Sequence, residues 1–493
     1  MIMNESEQTH ILQTQLERYA AQDLYPFHMP GHKRRMSPAP GLPFAWDVTE
    51  VPGTDDLHDA SGILQDAMQR SASLWGADRT WYLVNGSTCG LLAAIRALAK
   101  PGSEILCARN CHKAVFHAIE LAGCRVRWIM PAVDEDWGIC TGITADQVRK
   151  MLRKNPDVKA LILTSPTYEG ILSDIRGISV LCHQKGIPLI VDEAHGAHLL
   201  PMSVNIGFPE GALACGADLV IQSPHKTLPS LTQTAFLHLQ GNLVDPEIIE
   251  EQLDIFETSS PSYPLLASLD GCTGIIREHG RELFESWKER LERFDNSVMP
   301  LQKLRVFNRL TGAERNSGTK SPFIYDPGKI LIDAAGAGVT GRELASFLRE
   351  KKHIEIEMTQ GSLVLAMTSL CDDENALDLL MDALAEIDAQ TSEAIRSTSE
   401  INKMPVKRYS TKTPAAACTF AEAVIQEAEK VPLSGISGRI CAEYLYFYPP
   451  GIPFLAPGEI ITPENRELIL EAEKSGEFTY RCKHPGCLLC LRE

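Results

Sequence analysis

No stretch of this 493-residue chain approaches the roughly 18–20 consecutive apolar residues that crossing a bilayer requires. Positive charge is also in short supply. Lys and Arg number 47 against 64 Asp and Glu, a net charge of −17 at pH 7, and a surface of that sign repels the phosphates of a nucleic acid. The opening segment, MIMNESEQTHILQTQLERYAAQDLYPFH, is polar and helix-like and lacks the apolar core and cleavage signature of a signal peptide. Fixed-period repeats are missing too. These absences set aside membrane and nucleic-acid partners and make a cytoplasmic enzyme or binding protein the expectation. The fourteen cysteines are scattered through apolar stretches (Cys107, Cys140, Cys182, Cys215) and read as reduced, buried thiols. The tail, CKHPGCLLC, places Cys482, His484, Cys487 and Cys490 within one short segment. Such a cluster is able to bind zinc, but zinc sites usually separate two ligand pairs by a longer loop, so disordered or packed thiols are expected there before a metal.

What is present is an ordinary globular composition, 44% hydrophobic and 23% charged, in a chain too long for one hydrophobic core. Short apolar runs alternate with amphipathic helical segments from about residue 80 to 240. The strand candidates are WYLVNG (81–86), EILCAR (104–109), RVRWIM (125–130), VKALILT (158–164), IPLIVDEA (187–194), DLVIQS (218–223) and QTAFLHL (233–239). Helical patterns such as TCGLLAAIRALA (88–99) and HKAVFHAIELAG (112–123) lie between them. Continuous apolar strands alternating with helices predict an α/β fold, a mostly parallel sheet of seven strands covered on both faces. Five parts are expected: an N-terminal helix and linker (1–48), a large domain (49–299), a small α+β domain (300–390), a linker (391–417) and a C-terminal α+β domain (418–493).

Ligands of such sheets bind beyond the carboxyl ends of the strands, and here those ends carry the polar residues. NGSTCGLLAAI supplies Gly86, Ser87 and Thr88 directly before a helix, a pattern that suits a phosphate and equally an ordinary helix cap. In LIVDEAHGAH, Asp192 follows Leu189, Ile190 and Val191, and a buried carboxylate there needs a cationic partner. Lys226, in SPHKTLPSLTQTA, follows the next apolar run. An Asp and a Lys at neighbouring strand ends beside a phosphate cradle match pyridoxal 5'-phosphate: a Schiff-base lysine, a partner for the ring nitrogen, and a helix start for the phosphate.

Several segments then resemble the ornithine/lysine/arginine decarboxylases of the aspartate-aminotransferase fold (fold type I). They are PFHMPGHK (26–33), TEVPGTDDLHDASGIL (49–64), LVNGSTCGLLAAI (83–95), RNCHKAVFHAI (109–119), TSPTYEGILSDI (164–175), VDEAHGAH (191–198), SPHKTLPSLTQTA (223–235) and YPPGIPFLAPGE (448–459). The last has no counterpart in general aminotransferases. The start, close before FHMPGHK, is similar to the short branch without an N-terminal wing. The resemblance implies that Lys226 is the Schiff-base lysine and Asp192 the ring-nitrogen partner. His112 is implied to stack on one cofactor face and Ala194 on the other, with Ser87, Thr88, Ser223 and His225 on the phosphate. His195 stands where some relatives have tryptophan, and ETSSPSY (257–263) resembles a segment reaching the partner subunit's phosphate through Ser259 or Ser260. A homodimer with its active site at the subunit interface is implied, with a higher homo-oligomer open.

The implied reaction is decarboxylation of a basic amino acid, arginine to agmatine first, lysine to cadaverine or ornithine to putrescine as alternatives. Lys226, Asp192, His112 and His195 are its candidate catalytic residues. Between Arg349 and Arg396 there is no arginine. That is the region from which aminotransferases of this fold clamp the substrate carboxylate, and a decarboxylase gains nothing from holding the group it expels. Asp55, Glu443 and Glu459, with Asp56, are candidate contacts for the substrate's cation. An aminotransferase or C–S lyase of the same fold would keep Lys226 and Asp192. A catalytically dead binding protein would be expected to lose Lys226, Asp192 or His112.

Overall fold

The computed structural model describes residues 11–22, 29–30, 33, 41–307, 323–389, 412–447, 451–475 and 484–492. Most of PFHMPGHK, residues 448–450 of the YPPGIP motif, linker residues 391–411 and Cys482 lie outside the described residues.

All seven apolar runs form strands: β1 (Arg79–Leu83), β2 (Glu104–Ala108), β3 (Arg125–Ile129), β4 (Leu161–Thr164), β5 (Leu189–Asp192), β6 (Leu219–Gln222) and β7 (Ala235–Leu239). They make one sheet in the order β1-β7-β6-β5-β4-β2-β3. β2 pairs in parallel with β3 and with β4, and β5 with β6. β7 runs antiparallel to both β1 and β6. Every residue of β5 and of β6 is buried, which is why both read as unbroken apolar runs rather than as alternating ones. Polar residues appear only where each run stops, at Asp192 and Gln222.

The chain divides into two compact units. The first comprises residues 1–98 and 175–284. Its helices include α1 (Leu12–Ala20), α2 (Ile63–Trp75) and α3 (Gly86–Leu98). Asp270 ties two of them down: it accepts from the Leu12 N–H at 2.8 Å and pairs with Arg70 of α2 at 2.9 Å. The Trp75 indole donates to Ala197 O at 3.0 Å, and its ring meets Phe236 edge-on at 5.0 Å. On α3, a Cβ at Gly90 would come within 2.6 Å of Leu83 Cδ1. A larger residue there would force the Leu83 side chain to shift.

The second unit comprises residues 99–174 and 285–493 and contains α4 (Lys113–Ala122) beside β2, β3 and β4. Residues 242–298 hold α5 (Pro246–Phe256), which belongs to the first unit, and the 35-residue α6 (Tyr263–Ser297), whose later part belongs to this one. The small α+β part is an antiparallel sheet with β8 (Lys329–Asp333), β9 (Met358–Gln360) and β10 (Leu363–Met367), covered by α7 (Gly341–Lys352) and α8 (Ala376–Ala389). Thr340 and Glu343 form a reciprocal capping box at the start of α7. The C-terminal part pairs β11 (Ala428–Pro432) with β14 (Cys487–Leu491), and β12 (Leu445–Phe447) with β13 (Ile452–Leu455), beside α9 (Pro463–Ser475). Cys441 and Cys490 are core residues there, packed with Ile436, Leu445 and Leu488. No helix of the described residues is long and apolar enough to cross a membrane.

Candidate active site

Asp192 ends β5 and is 3% exposed. Burial raises its pKa, while the Lys226 ammonium and the Ala194 N–H, at 3.2 Å, pull it down. Lys226 lies in the single helical turn Pro224–Thr227 after β6. The Lys226 Nζ is 3.2 Å from Nε2 of His195, which the 193–196 turn after β5 carries; the Gly196 N–H closes that turn on Glu193 O at 2.9 Å. Ala194, also buried, sits in the same turn. Adjacent parallel strands place their carboxyl ends side by side, so the acid, the amine and the imidazole gather at one edge of the sheet.

Ser223, between β6 and Pro224, is completely buried, and its Oγ has no hydrogen-bond partner among the described residues. The Thr227 Oγ1, one turn on, is in the same condition. Buried hydroxyls usually find a partner, and these two, flanking Lys226, stand open to one. Gly86 opens α3 with φ +74°, and neither Ser87 nor Thr88 spends its hydroxyl on another described residue. The loop before them is clamped from both sides: the Val84 N–H donates to Glu257 Oε1 at 2.7 Å, and the Gln233 amide donates to Val84 O. Burial pushes the Glu257 carboxyl up to about 7. The His225 Nδ1 bonds Thr234 O at 2.7 Å, and burial lowers the pKa of its ring. Ser259 and Ser260 are exposed.

Other candidates carry structural contacts of their own. Asp55, at φ +87°, accepts from the N–H groups of Ser61, Gly62 and Leu64 at 2.9–3.1 Å and so organises the start of α2. Asp56 accepts from the His58 N–H. In the second unit His112 is the N-cap of α4, its Nδ1 accepting from the Ala114 N–H at 3.3 Å. Glu459 is 1% exposed and takes Arg109 at 3.3 Å and the Ala456 N–H at 2.9 Å. The Arg109 guanidinium stacks on Phe116 and Trp128 at 4.8 and 5.0 Å. Glu443 is buried and accepts from the Leu489 N–H at 2.8 Å. Among the described residues no three His, Cys, Asp or Glu gather as a metal site.

Two features escaped the sequence reading. Thr227 is one. The other is Glu193, buried directly after Asp192; two successive acids closing an apolar strand were a visible signal.

Comparison with known proteins gives the family. Residues 11–376 match the Orn/Lys/Arg decarboxylase major domain and residues 399–478 the C-terminal domain of the same family. An arginine decarboxylase of Bacillus subtilis is 33% identical over 94% of this chain and 94% of its own. One from Halalkalibacterium halodurans is 33% identical over 96% of this chain and 95% of its own. The fold is that of the Francisella novicida lysine decarboxylase LdcF, at TM-score 0.81 and 20% identity over 98% of this chain and 80% of that one. It is the α/β fold of the type I pyridoxal-phosphate enzymes. The chain belongs to the Orn/Lys/Arg decarboxylase family and is a decarboxylase of basic amino acids.

Proposed function

We propose that this enzyme converts arginine to agmatine and CO2 with pyridoxal 5'-phosphate bound to Lys226. The observation that carries the cofactor is the pair of facing demands at the sheet edge: a buried carboxyl beside a lysine amine, and a buried serine hydroxyl without a partner. The residues fit the group. Ser223, Ser87, Thr88 and the N–H groups at the start of α3 offer donors to a phosphate, and Gly86 permits the tight turn before them. A bound phosphate would raise the proton affinity of His225, letting its Nε2 donate as well. The exposed Ser259 is the candidate for the phosphate of a partner subunit in a homodimer, and His112 and Ala194 for the two faces of the ring.

Bound pyridoxal phosphate supplies a ring into which the electrons of the breaking Cα–carboxylate bond can flow. The chain's own residues do the rest. Asp192, kept in place by the Ala194 N–H, would hold the proton on the ring nitrogen. Lys226 would hold the group through its amine, and His195, within hydrogen-bond reach at 3.2 Å, would take or return the lysine's proton. Lys226 or a histidine delivers a proton to Cα as CO2 leaves. The absence of arginine between Arg349 and Arg396 leaves the departing carboxylate unclamped.

Arginine is chosen over lysine and ornithine because two arginine decarboxylases match the chain at 33% identity from end to end. Of the candidate contacts to the substrate's cation, Asp55 and Asp56 are not buried, and Asp55 is the first to substitute; Glu443 and Glu459 follow. A cytoplasmic location fits a substrate drawn from the amino-acid pool. The test is product release from purified protein with pyridoxal phosphate and arginine, lysine or ornithine offered separately. Agmatine with CO2 from arginine supports the reading, whereas cadaverine or putrescine alone reassigns the substrate.

A further inference from the structure

A row of buried polar side chains crosses four neighbouring strands behind Asp192. Glu193 Oε2 accepts from the Gln222 amide at 2.8 Å, Gln222 Oε1 meets His238 Nε2 at 3.2 Å, and His238 Nδ1 meets Thr80 Oγ1 at 2.7 Å. The second oxygen, Oε1, accepts from the Ala212 N–H at 2.8 Å. The four residues are 0–3% exposed and come from β5's end, β6, β7 and β1, which are adjacent in that order. Because strand side chains alternate, Glu193 and Gln222 face away from Asp192 and its register partner Ile221.

With Glu193 ionised, the row has one consistent direction. Glu193 meets only donors, so the Gln222 amide must turn its oxygen to His238. That oxygen needs the proton on His238 Nε2, which leaves Nδ1 to accept from the Thr80 hydroxyl. Every dipole then points toward Glu193 as a carboxylate. Among the described residues no cation pairs with it; its charged neighbours are Asp192 beside it and, beyond Asp192, Lys226. An amide does not pass protons along, so Gln222 makes the row an orienting device and not a proton conduit. The anchored segment is also the one that matters, since the Glu193 carbonyl closes the turn carrying Ala194 and His195.

We propose that Glu193 is a positioning residue for decarboxylation: a second carboxylate, oriented by Gln222, His238 and Thr80, that fixes the 192–196 turn and adds its negative charge behind Asp192. The charge strengthens the hold on protons at the cofactor ring and its lysine linkage. This rests on the pyridoxal phosphate reading above. Burial holds the Glu193 carboxyl up at about 8 and His238 down at about 3. His238 therefore stays neutral, and Glu193 takes on its charge as pH rises toward and through about 8. When Glu193 is protonated, its O–H must donate to Gln222 and the row reverses.

The test is a pH titration of the visible absorbance band of the holoenzyme, in wild type, Glu193→Gln and Thr80→Val, with thermal melts alongside. Glu193→Gln should lower the midpoint of the band by about 0.5–1 unit, the scale of a removed nearby charge. Thr80→Val, which cuts the far end of the row, should move it the same way by less. Should Glu193→Gln not fold, Thr80→Val decides alone. Midpoints that stay within about 0.1 unit of wild type, or rise, while only the melts fall would reduce the row to a structural feature. A wild-type protein lacking the band altogether would instead overturn the cofactor reading, and this proposal with it.

Discussion

The Lys226 Nζ and the His195 Nε2 lie 3.2 Å apart, one delivered by the turn after β6 and the other by the turn after β5. At that distance the imidazole and the amine share a proton, so the lysine can be released or recaptured without calling on solvent. His195→Ala should lower turnover about 100-fold, as loss of a positioned acid–base group does. Lys226 should still be labelled by the cofactor. Steady-state rates beside a cofactor-labelling assay check this, and a variant of unchanged turnover would remove His195 from the proton path.

Asp192→Asn removes the negative charge and keeps the shape. Turnover should fall about 100- to 1,000-fold, the scale of a lost preorganised electrostatic contact, while binding of pyridoxal phosphate survives. The comparison to make is kcat against the dissociation constant of the cofactor. A loss confined to cofactor binding would contradict the role given to this residue.

Ser223→Ala separates a ligand contact from a structural one. The Oγ is buried without a partner, so removing it should leave the unfolding midpoint unchanged or slightly raised. Losing one hydrogen bond to a charged phosphate should nevertheless weaken cofactor binding about 10- to 100-fold. Titration of apoprotein with pyridoxal phosphate, beside urea unfolding, reads both quantities.

Glu257 gives stability a pH dependence of known sign. Its carboxyl is raised from 4.5 to about 7, mainly by burial and against the Val84 N–H bond. Between those values the folded chain holds a proton that the unfolded chain releases, so this group's contribution falls as pH rises across the window and levels off above it. The change amounts to about 3 kcal/mol at most. Urea unfolding of wild type and Glu257→Gln on either side of the window should show the difference shrinking, then reversing against the wild type, as pH increases.

Arg109 and Glu459 should behave as a buried pair. Arg109→Ala leaves the Glu459 carboxylate uncompensated and should cost about 3–5 kcal/mol. Arg109→Met combined with Glu459→Leu should recover most of that. Denaturant midpoints of Arg109→Ala and of the double variant measure it, and an Arg109→Ala protein as stable as wild type would contradict the pairing.

Much of this was legible in the chain. Each of the seven apolar runs became a strand; β5, β6 and β7 are buried throughout, which leaves no alternation to disguise them, whereas β3 at the sheet edge exposes Arg125 and Arg127. Asp192, Ser223 and Lys226 stood out because polar groups that close such runs have few reasons to be there. The partnerships were hidden. Arg109 and Glu459 are 350 positions apart, and Thr80 and His238 are 158 apart; neither separation leaves a local pattern. Asp55, Glu443 and Glu459 read as carboxylates available to a substrate, yet each gives oxygen to backbone N–H groups, a use that side-chain identity does not reveal.

The most direct measurement is borohydride reduction of the protein loaded with pyridoxal phosphate, followed by peptide mapping by mass spectrometry. The account predicts one phosphopyridoxyl group, on the peptide containing Lys226, and none in Lys226→Ala. A group fixed on another lysine, or no group at all on a folded protein, would contradict the assignment of Lys226 and the chemistry built on it.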